Sequence, residues 1–161
     1  MLLLGGIEFG GRVGGAYPIS GLARHHSSTA VLGGHIGYST GRVRVELGYN
    51  YLSLPGLQAS ASRLVLHQTM LSGGYQFAGN DDWGFEGMLG GGYVFAEHAY
   101  GIGRETGGAG SGEVGLNFVQ HAGNSRLTVG LAETVFIENA GTVGIALSHV
   151  FSVRAGVAYA P

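Results

Sequence analysis

The sequence contains no cysteine and no lysine, and each absence excludes a class of protein. Without cysteine there is no disulfide framework, no thiolate metal site and no thiol nucleophile. All eight basic residues are arginine, they form no cluster, and the net charge is −2. The basic surface that nucleic-acid binding needs is therefore missing, and no nucleic-acid partner is expected.

Long apolar runs and prolines are also scarce. No stretch reaches the about 18 consecutive apolar residues of a transmembrane helix. With three prolines and no regular glycine triplet, a collagen-like chain is excluded. The apolar start Met1–Leu4 is too short for a signal peptide, so a signal peptide is expected to be absent from this sequence.

Glycine is abundant and charge is low. Glycine accounts for 33 of 161 residues, about a fifth against a usual ~7%. Charged residues make up 11%, less than half of the ~25% typical of soluble domains. The mean hydropathy is +0.22. A chain this apolar without a spanning helix is typical of a membrane β-barrel, and residues 1–161 are expected to form a single domain of this kind.

Alternation of apolar residues with small or charged residues predicts eight strands and no helix. The predicted strands are Gly5–Tyr17, Ser28–Tyr38, Arg42–Tyr51, Arg63–Phe77, Trp83–Phe95, Gly112–Val119, Arg126–Phe136 and Val143–Tyr159. Longer loops at Pro18–Ser27, Leu54–Ser62 and Glu97–Ser111 alternate with short turns, and Ile137–Gly141 forms the last connection. This asymmetry predicts an all-β, eight-stranded antiparallel up-and-down transmembrane barrel.

The two faces of the strands differ in chemistry, which determines the orientation of the barrel. Charged side chains share a face with glycine, alanine, serine and threonine, and the large apolar side chains occupy the other face. An eight-stranded interior is too narrow to hold all the bulky residues, so the apolar face is predicted to contact lipid. The fourth strand alternates less clearly. Its outward set is predicted to be Val65, Leu71, Tyr75 and Phe77, which leaves His67 in this strand and Glu133 in the seventh on the lipid side.

The inward faces carry both signs of charge in near balance. Because buried charges persist when they are paired, these residues predict an interior plugged by ion pairs. The predicted network comprises Glu8, Arg12, Arg42, Arg44, Glu46, Glu86, Glu113, Arg126 and Arg154. Aromatic residues near strand ends predict an interfacial girdle. The predicted girdle comprises Tyr17, Tyr38, Tyr49, Tyr51, Tyr75, Phe77, Trp83, Phe95 and Tyr159.

The closing segment Arg154–Pro161 resembles the terminal strand of bacterial outer-membrane barrels, in which a Gly-x-x-Tyr-x-Phe ending serves as the assembly signal. Gly156 and Tyr159 match this ending, whereas Pro161 takes the place of the final phenylalanine. Together with the strand count and loop asymmetry, the whole chain is similar to the OmpA/OmpX/opacity-type family. The resemblance implies a monomer in the bacterial outer membrane, with the lipid bilayer, lipopolysaccharide and the barrel-insertion machinery as partners.

No catalytic, metal or cofactor site is predicted. His26-Ser27-Ser28 only weakly resembles the His-x-Ser pair of the outer-membrane lipid A deacylases, and His149 and Ser152 fall on opposite strand faces. Adjacent residues such as His25 and His26 usually point apart, which argues against a shared metal ion. The expected function is therefore non-enzymatic, either structural or adhesion-like, with an extracellular ligand at the long loops. Two alternatives remain: a narrow pore gated by the Arg/Glu cluster, and a soluble lipocalin-like barrel that binds an apolar ligand.

Overall fold

The computed structural model describes residues 6–57, 62–100, 103–139 and 145–161. Within these ranges eight strands form a closed barrel in sequence order, each antiparallel to its neighbours. The strands are β1 (Gly6–Ile19), β2 (Thr29–Thr40), β3 (Val43–Pro55), β4 (Arg63–Gly79), β5 (Trp83–Tyr100), β6 (Gly103–Ala122), β7 (Ser125–Asn139) and β8 (Ile145–Tyr159). The predicted fold class is confirmed.

The β1–β2 loop contains a short 3₁₀ helix at Leu22–Arg24. No helix in the described part of the chain is long and apolar enough to span a membrane. Three connections at one rim are short. Gly41 and Gly123 in two of them have φ values of 57° and 60°, a left-handed conformation that glycine adopts without steric cost. The opposite rim carries the β1–β2 and β3–β4 loops and the tip of the β5–β6 hairpin. It is called the loop rim below, and the other the turn rim.

The pairing register gives the tilt of the strands. If one starts at Phe9 and moves from each residue to its partner on the next strand, one returns to β1 at Ile19. The stagger around the barrel is therefore ten residues. Ten residues correspond to about 33 Å of strand, against about 38 Å around eight strands, so the strands tilt by about 40°. This value is typical of membrane barrels of this size.

One predicted loop is wrong. Residues Glu97–Ser111 were expected to form a long glycine-rich connection, but β5 continues to Tyr100 and β6 begins at Gly103. The backbones pair throughout, from Gly92 with Ser111 up to Tyr100 with Gly103. Glycine indicates a loop when it interrupts alternation, but it equally allows close strand pairing where no bulky side chain is needed.

Parts of three predicted connections lie outside the described residues. Residues 58–61 of the β3–β4 loop, residues 101–102 and the segment 140–144 lie outside the described residues. The segment 140–144 includes the last two residues of the predicted Ile137–Gly141 connection and the predicted start of the eighth strand at Val143. The first three residues of that connection are wrong as a loop prediction, because β7 continues to Asn139. The outward set of the fourth strand is confirmed for Leu71, Tyr75 and Phe77, which are all exposed.

Candidate functional site

The outside of the barrel is apolar on every strand. Large apolar side chains that point away from the lumen are about half exposed, which a water-soluble protein of this size would not tolerate around its whole circumference. The belt includes Phe9, Val13, Leu32, Ile36, Val45, Leu47, Leu71, Leu89, Val114, Leu116, Val129, Leu131, Val153 and Val157. A lipocalin-like barrel would need the opposite orientation, with these side chains inside.

The aromatic residues form two groups along this belt. Tyr38, Tyr75, Phe77, Trp83 and Tyr159 lie near the turn rim, and Tyr17, Tyr49, Tyr51 and Phe95 lie toward the loop rim. The turn-rim group also contains Phe85 and Phe118, which the sequence analysis missed. Both contact the Trp83 ring, at centroid distances of 6.0 and 6.3 Å.

The spacing of the two groups matches a membrane. Phe85 and Phe95 are separated by about 33 Å of strand, which a tilt of about 40° reduces to about 25 Å along the barrel axis. An apolar band of about 25 Å is typical of outer-membrane barrels. Phe95 was predicted as the end of its strand, but β5 continues for five more residues, so the strand extends beyond the level of the aromatic group.

The outward position of His67 is accounted for by its neighbours. Its Nδ1 lies 2.6 Å from the Tyr49 hydroxyl. The imidazole ring also packs against the rings of Tyr51 and Phe95, at centroid distances of 5.4 and 6.2 Å. The histidine is therefore part of the loop-rim aromatic group, where a polar atom on an apolar surface is satisfied by hydrogen bonding.

Near the turn rim, the lumen holds a cluster of paired charges. Arg44 is central to this cluster, because its Nε donates to Glu8 at 2.7 Å and its Nη2 contacts Glu46 at 2.5 Å. Glu46 also pairs with Arg12 at 3.0 Å. A further pair joins Arg126 to Glu86 at 2.7 Å. The carboxylates and Arg44 are almost completely buried, so these pairs are screened little by solvent.

A second ion pair lies higher in the lumen. Arg154 donates two hydrogen bonds to Glu113, at 2.9 and 2.7 Å, and Thr134 donates a third at 2.9 Å. Together, the two clusters contain four arginines and four glutamates, so the interior charge is balanced. Balance matters because an unpaired charge in a low-dielectric interior costs several kcal/mol.

Arg42 does not belong to either cluster. It lies in the β2–β3 turn, one residue before β3 begins, and its side chain is exposed. No ion pair involves it within the described part of the chain. The alternation of β3 was extended one residue too far, into the turn that contains Gly41.

Two cavities flank the ion clusters. A cavity of about 680 Å³ at the turn rim, here called the vestibule, reaches the lumen as far as Arg44, Glu86 and Arg126. A smaller cavity of about 40 Å³, the inner cavity, lies beyond Arg44 and is lined by Arg12, His35, Glu113 and Arg154, among others. Because Arg44 lines both, its side chain forms part of the wall between them.

The inner cavity has the chemistry of a hydrated site. The Nε atoms of Arg12 and Arg154 and both ring nitrogens of His35 are buried without a hydrogen-bond partner in the protein. A polar cavity holds water when it provides at least about 10–15 Å³ and two to four polar partners. The inner cavity meets both conditions, so the polar half of the lumen extends beyond the first ion cluster.

Toward the loop rim the lumen becomes apolar, which the sequence analysis missed. Each of the eight strands contributes at least one buried or half-buried apolar side chain to one cluster, here called the apolar seal. Its members are Ala16, Val31, Leu52, Leu54, Leu64, Leu66, Val94, Ala96, Ala109, Phe136, Val150 and the loop residue Leu22. In the sequence, the unclear alternation of the fourth strand indicates this cluster, because Leu64 and Leu66 are apolar residues that point inward.

The β1–β2 loop covers the seal. Leu22 joins the apolar cluster from above, and the loop is fastened to the β3–β4 loop by two backbone hydrogen bonds of 2.9 Å, Ser27 to Pro55 and Leu57 to His25. Between them, His26 is 6% exposed and its ring packs edge-on against His98 at 5.8 Å. The Nδ1 of His26 is buried without a hydrogen-bond partner. The loop is therefore called the lid.

Closure of the lid is expected to weaken in acid. Burial and then the nearby His98 and His25 lower the pKa of His26 below its usual 6.5. An open lid would restore the usual pKa, so closure is fully favoured above about pH 6.5 and is lost as the pH falls through the lowered value. We predict that hydrogen-exchange protection of the Ser27 and Leu57 amides, corrected for intrinsic rates, falls several-fold between pH 7.5 and pH 5.

Substitutions test the assignment to His26. His26→Phe keeps an aromatic ring without a titrating group, so protection of the two amides should become independent of pH. His25→Phe, which changes the exposed neighbour, should retain the pH dependence. Equal pH dependence in both variants would contradict the role given to His26.

One acid–base pair faces outward without a nucleophile. On the lipid side, the Oε1 atom of Glu133 and the Nδ1 atom of His149 are 2.8 Å apart and form a hydrogen bond. The serines nearest to His149 in sequence, Ser148 and Ser152, are buried on the lumen side. The Ser152 hydroxyl donates to the backbone carbonyl of Ala132. His26 and Ser28, the other candidate pair, both lie in the β1–β2 loop that forms the lid. Among the described residues, no group of three or more potential metal ligands is present.

No protein-family model matches the sequence, and no curated protein matches it. Solved structures do match over the whole chain. Neisserial surface protein A (NspA) has a TM-score of 0.70 at 15% identity, covering 95% of this chain and 96% of that one. The N-terminal β-barrel domain of Pseudomonas aeruginosa OprF has a TM-score of 0.65 at 14% identity, covering 98% and 100%.

A third match is Ail, the attachment invasion locus protein of Yersinia pestis, with a TM-score of 0.54 at 10% identity, covering 98% of this chain and 97% of that one. At these identities the likeness concerns the fold. The chain therefore has the fold of the eight-stranded outer-membrane β-barrels, the family that its closing segment and its loop pattern resemble.

Proposed function

We propose that this chain is a bacterial outer-membrane barrel with a structural or surface-interaction role of the adhesion type, and that it is not an enzyme. The observation that carries the proposal is the closed lumen. The apolar seal and the lid cover it at the loop rim, so an external partner meets loops and the β5–β6 hairpin and has no access to an internal site. The interior Arg/Glu pairs serve in this proposal as a polar plug.

The β5–β6 hairpin is the best candidate for the interacting surface. It continues beyond Phe95, with Glu97 paired to Thr106 and Ala99 to Arg104. An ion pair between Glu97 and Arg104 lies on its outer side, and Arg104 is 64% exposed. A rigid, hydrogen-bonded hairpin presents such groups at a low entropic cost of binding.

Lipopolysaccharide is a proposed partner for the same side of the barrel. Arg63 of β4 pairs with Ala99, which pairs with Arg104 on the next strand. Both arginines are exposed and lie above the loop-rim aromatic group. Two guanidinium groups in this row are suited to phosphate groups of outer-leaflet lipid. Gly156 and Tyr159, the proposed contacts of the insertion machinery, lie in β8, with Tyr159 exposed at its end.

Display on cells tests the proposal. Cells that present the barrel should adhere to an epithelial monolayer more strongly than cells without it, and Glu97→Ser/Arg104→Ser/Thr106→Ser should lose most of this gain. Asp81→Ser/Asp82→Ser in a turn at the opposite rim is the matched control and should adhere normally. Heat-modifiable gel migration verifies that each variant is folded. Equal adhesion of displaying and non-displaying cells would reject the interaction role.

A further inference from the structure

We propose that the barrel is also a gated conduit for water and small ions, and that its gate is the apolar seal with Leu22 of the lid as the moving part. This function goes beyond the surface role. It also differs from a pore gated by the Arg/Glu cluster, because it puts the barrier in the apolar half of the lumen.

The polar half of the lumen already forms most of a path. The vestibule reaches Arg44 from the turn rim, and the inner cavity continues on the other side of the same side chain. Arginine side chains are long and flexible, and in this proposal a rotation of Arg44, which lines both cavities, joins them. Above the inner cavity, Asn50 donates to Gln68 at 3.0 Å, which extends the polar lining toward the seal.

Although the ion clusters fill the lumen as a polar plug, in this proposal they hinder small ions less than the apolar seal does. A balanced set of four arginines and four glutamates offers successive partners for either sign of charge, as the lining of a narrow charged pore does. A constriction lined mainly by apolar side chains, in contrast, excludes water and therefore ions by dewetting. By this criterion the barrier to conduction lies at the seal.

The composition of the seal singles out Leu22. The strands next to the lid contribute small side chains, Ala16 from β1 and Val31 from β2, whereas β3 and β4 contribute two leucines each. Leu22 is the member of the cluster that comes from a loop. This loop joins β1 and β2, the two strands that contribute the small side chains. Movement of the lid removes one large side chain from the seal without breaking any strand pairing.

The lid is held by few bonds, so it can move independently of the barrel. Among the described residues, its attachment to the end of β3 and the β3–β4 loop comprises the Ser27–Pro55 and Leu57–His25 backbone hydrogen bonds, a 3.4 Å hydrogen bond from the Ser27 hydroxyl to the Pro55 carbonyl, and the contacts of His26. Loops with few backbone hydrogen bonds open at a much lower free energy than the whole domain unfolds.

Conductance across planar phosphatidylcholine bilayers in potassium chloride tests the gate. Leu22→Asn places a polar side chain in the seal, and we expect its open probability to exceed that of the unchanged protein by roughly 10- to 100-fold. Ala122→Asn, at an exposed alanine of the turn rim that lines neither cavity, is the control and should match the unchanged protein. Heat-modifiable migration confirms folding of each variant. A folded Leu22→Asn protein that stays silent would overturn the proposal.

A disulfide provides the second arm. His25 and Leu57 face each other across the attachment of the lid, and the sequence has no other cysteine to interfere. In His25→Cys/Leu57→Cys with Leu22 retained, oxidation should prevent movement of the lid and abolish conductance, and a reducing agent should restore it. Equal conductance before and after reduction would overturn the proposal. Conductance that appears on Arg44→Ala while the lid is locked would instead assign the gate to the ion cluster.

Discussion

Replacing Arg44 with methionine is expected to lower the free energy of unfolding by about 3–5 kcal/mol, the usual cost of removing one partner from a buried ion pair. Arg44 contacts both Glu8 and Glu46, which are 3% exposed each. Without the guanidinium, Glu46 keeps its pair with Arg12 at 3.0 Å, whereas buried Glu8 is left with Arg126 at 3.8 Å. The measurement is urea unfolding of the barrel in lipid vesicles, followed by the fluorescence of Trp83, the single tryptophan.

Arg42 supplies a matched control two residues away. Its side chain is exposed in the β2–β3 turn, and Arg42→Met should change the stability by no more than about 0.5 kcal/mol. A second variant, Arg44→Met/Glu8→Gln, should recover part of the loss because it removes the stranded charge. If Arg44→Met and Arg42→Met unfold at the same urea concentration, the proposal of an ion-paired plug is wrong.

The sequence predicts the strands and their orientation well because both depend on local alternation. In a barrel with a glycine-rich inner face, each strand shows two chemically distinct sides, and the side that carries Glu46 and Arg44 cannot face lipid. The pairing of particular charges is different. Arg44 contacts a carboxylate 36 positions earlier in the chain, and such a partner depends on the stagger of the whole barrel.

The apolar seal was missed for a related physical reason. Inward apolar residues such as Leu64 and Leu66 make both faces of a strand apolar, which removes the alternation that identifies the lumen side. Only the register brings them level with Phe136 and Val150 from distant strands. The long β5–β6 hairpin was missed because glycine contributes no alternation, although its backbone pairs as well as that of any other residue.

The two halves of the lumen give the molecule a polarity along its axis. Charged pairs and cavities lie toward the turn rim, and the dry seal and its lid lie toward the loop rim. The seal adds apolar burial to a barrel whose other apolar side chains mostly face lipid. The seal therefore combines a contribution to folding with closure of the interior. Urea unfolding of the Leu22→Asn protein in vesicles, compared with its conductance, separates the two.

Leu89→Arg is expected to destabilise the barrel in vesicles by about 2–4 kcal/mol, the cost of an arginine at the middle of the lipid-facing surface. Leu89 is 72% exposed, the largest value among the exposed apolar side chains. It lies about midway between Phe85 and Tyr93 on β5, so an arginine side chain there cannot easily reach either interface. Leu57→Arg, in the β3–β4 loop, should cost no more than about 0.5 kcal/mol. Urea unfolding in vesicles gives both values. A Leu89→Arg protein as stable as the unchanged one would contradict the membrane orientation, and detergent-free folding would then favour a soluble barrel.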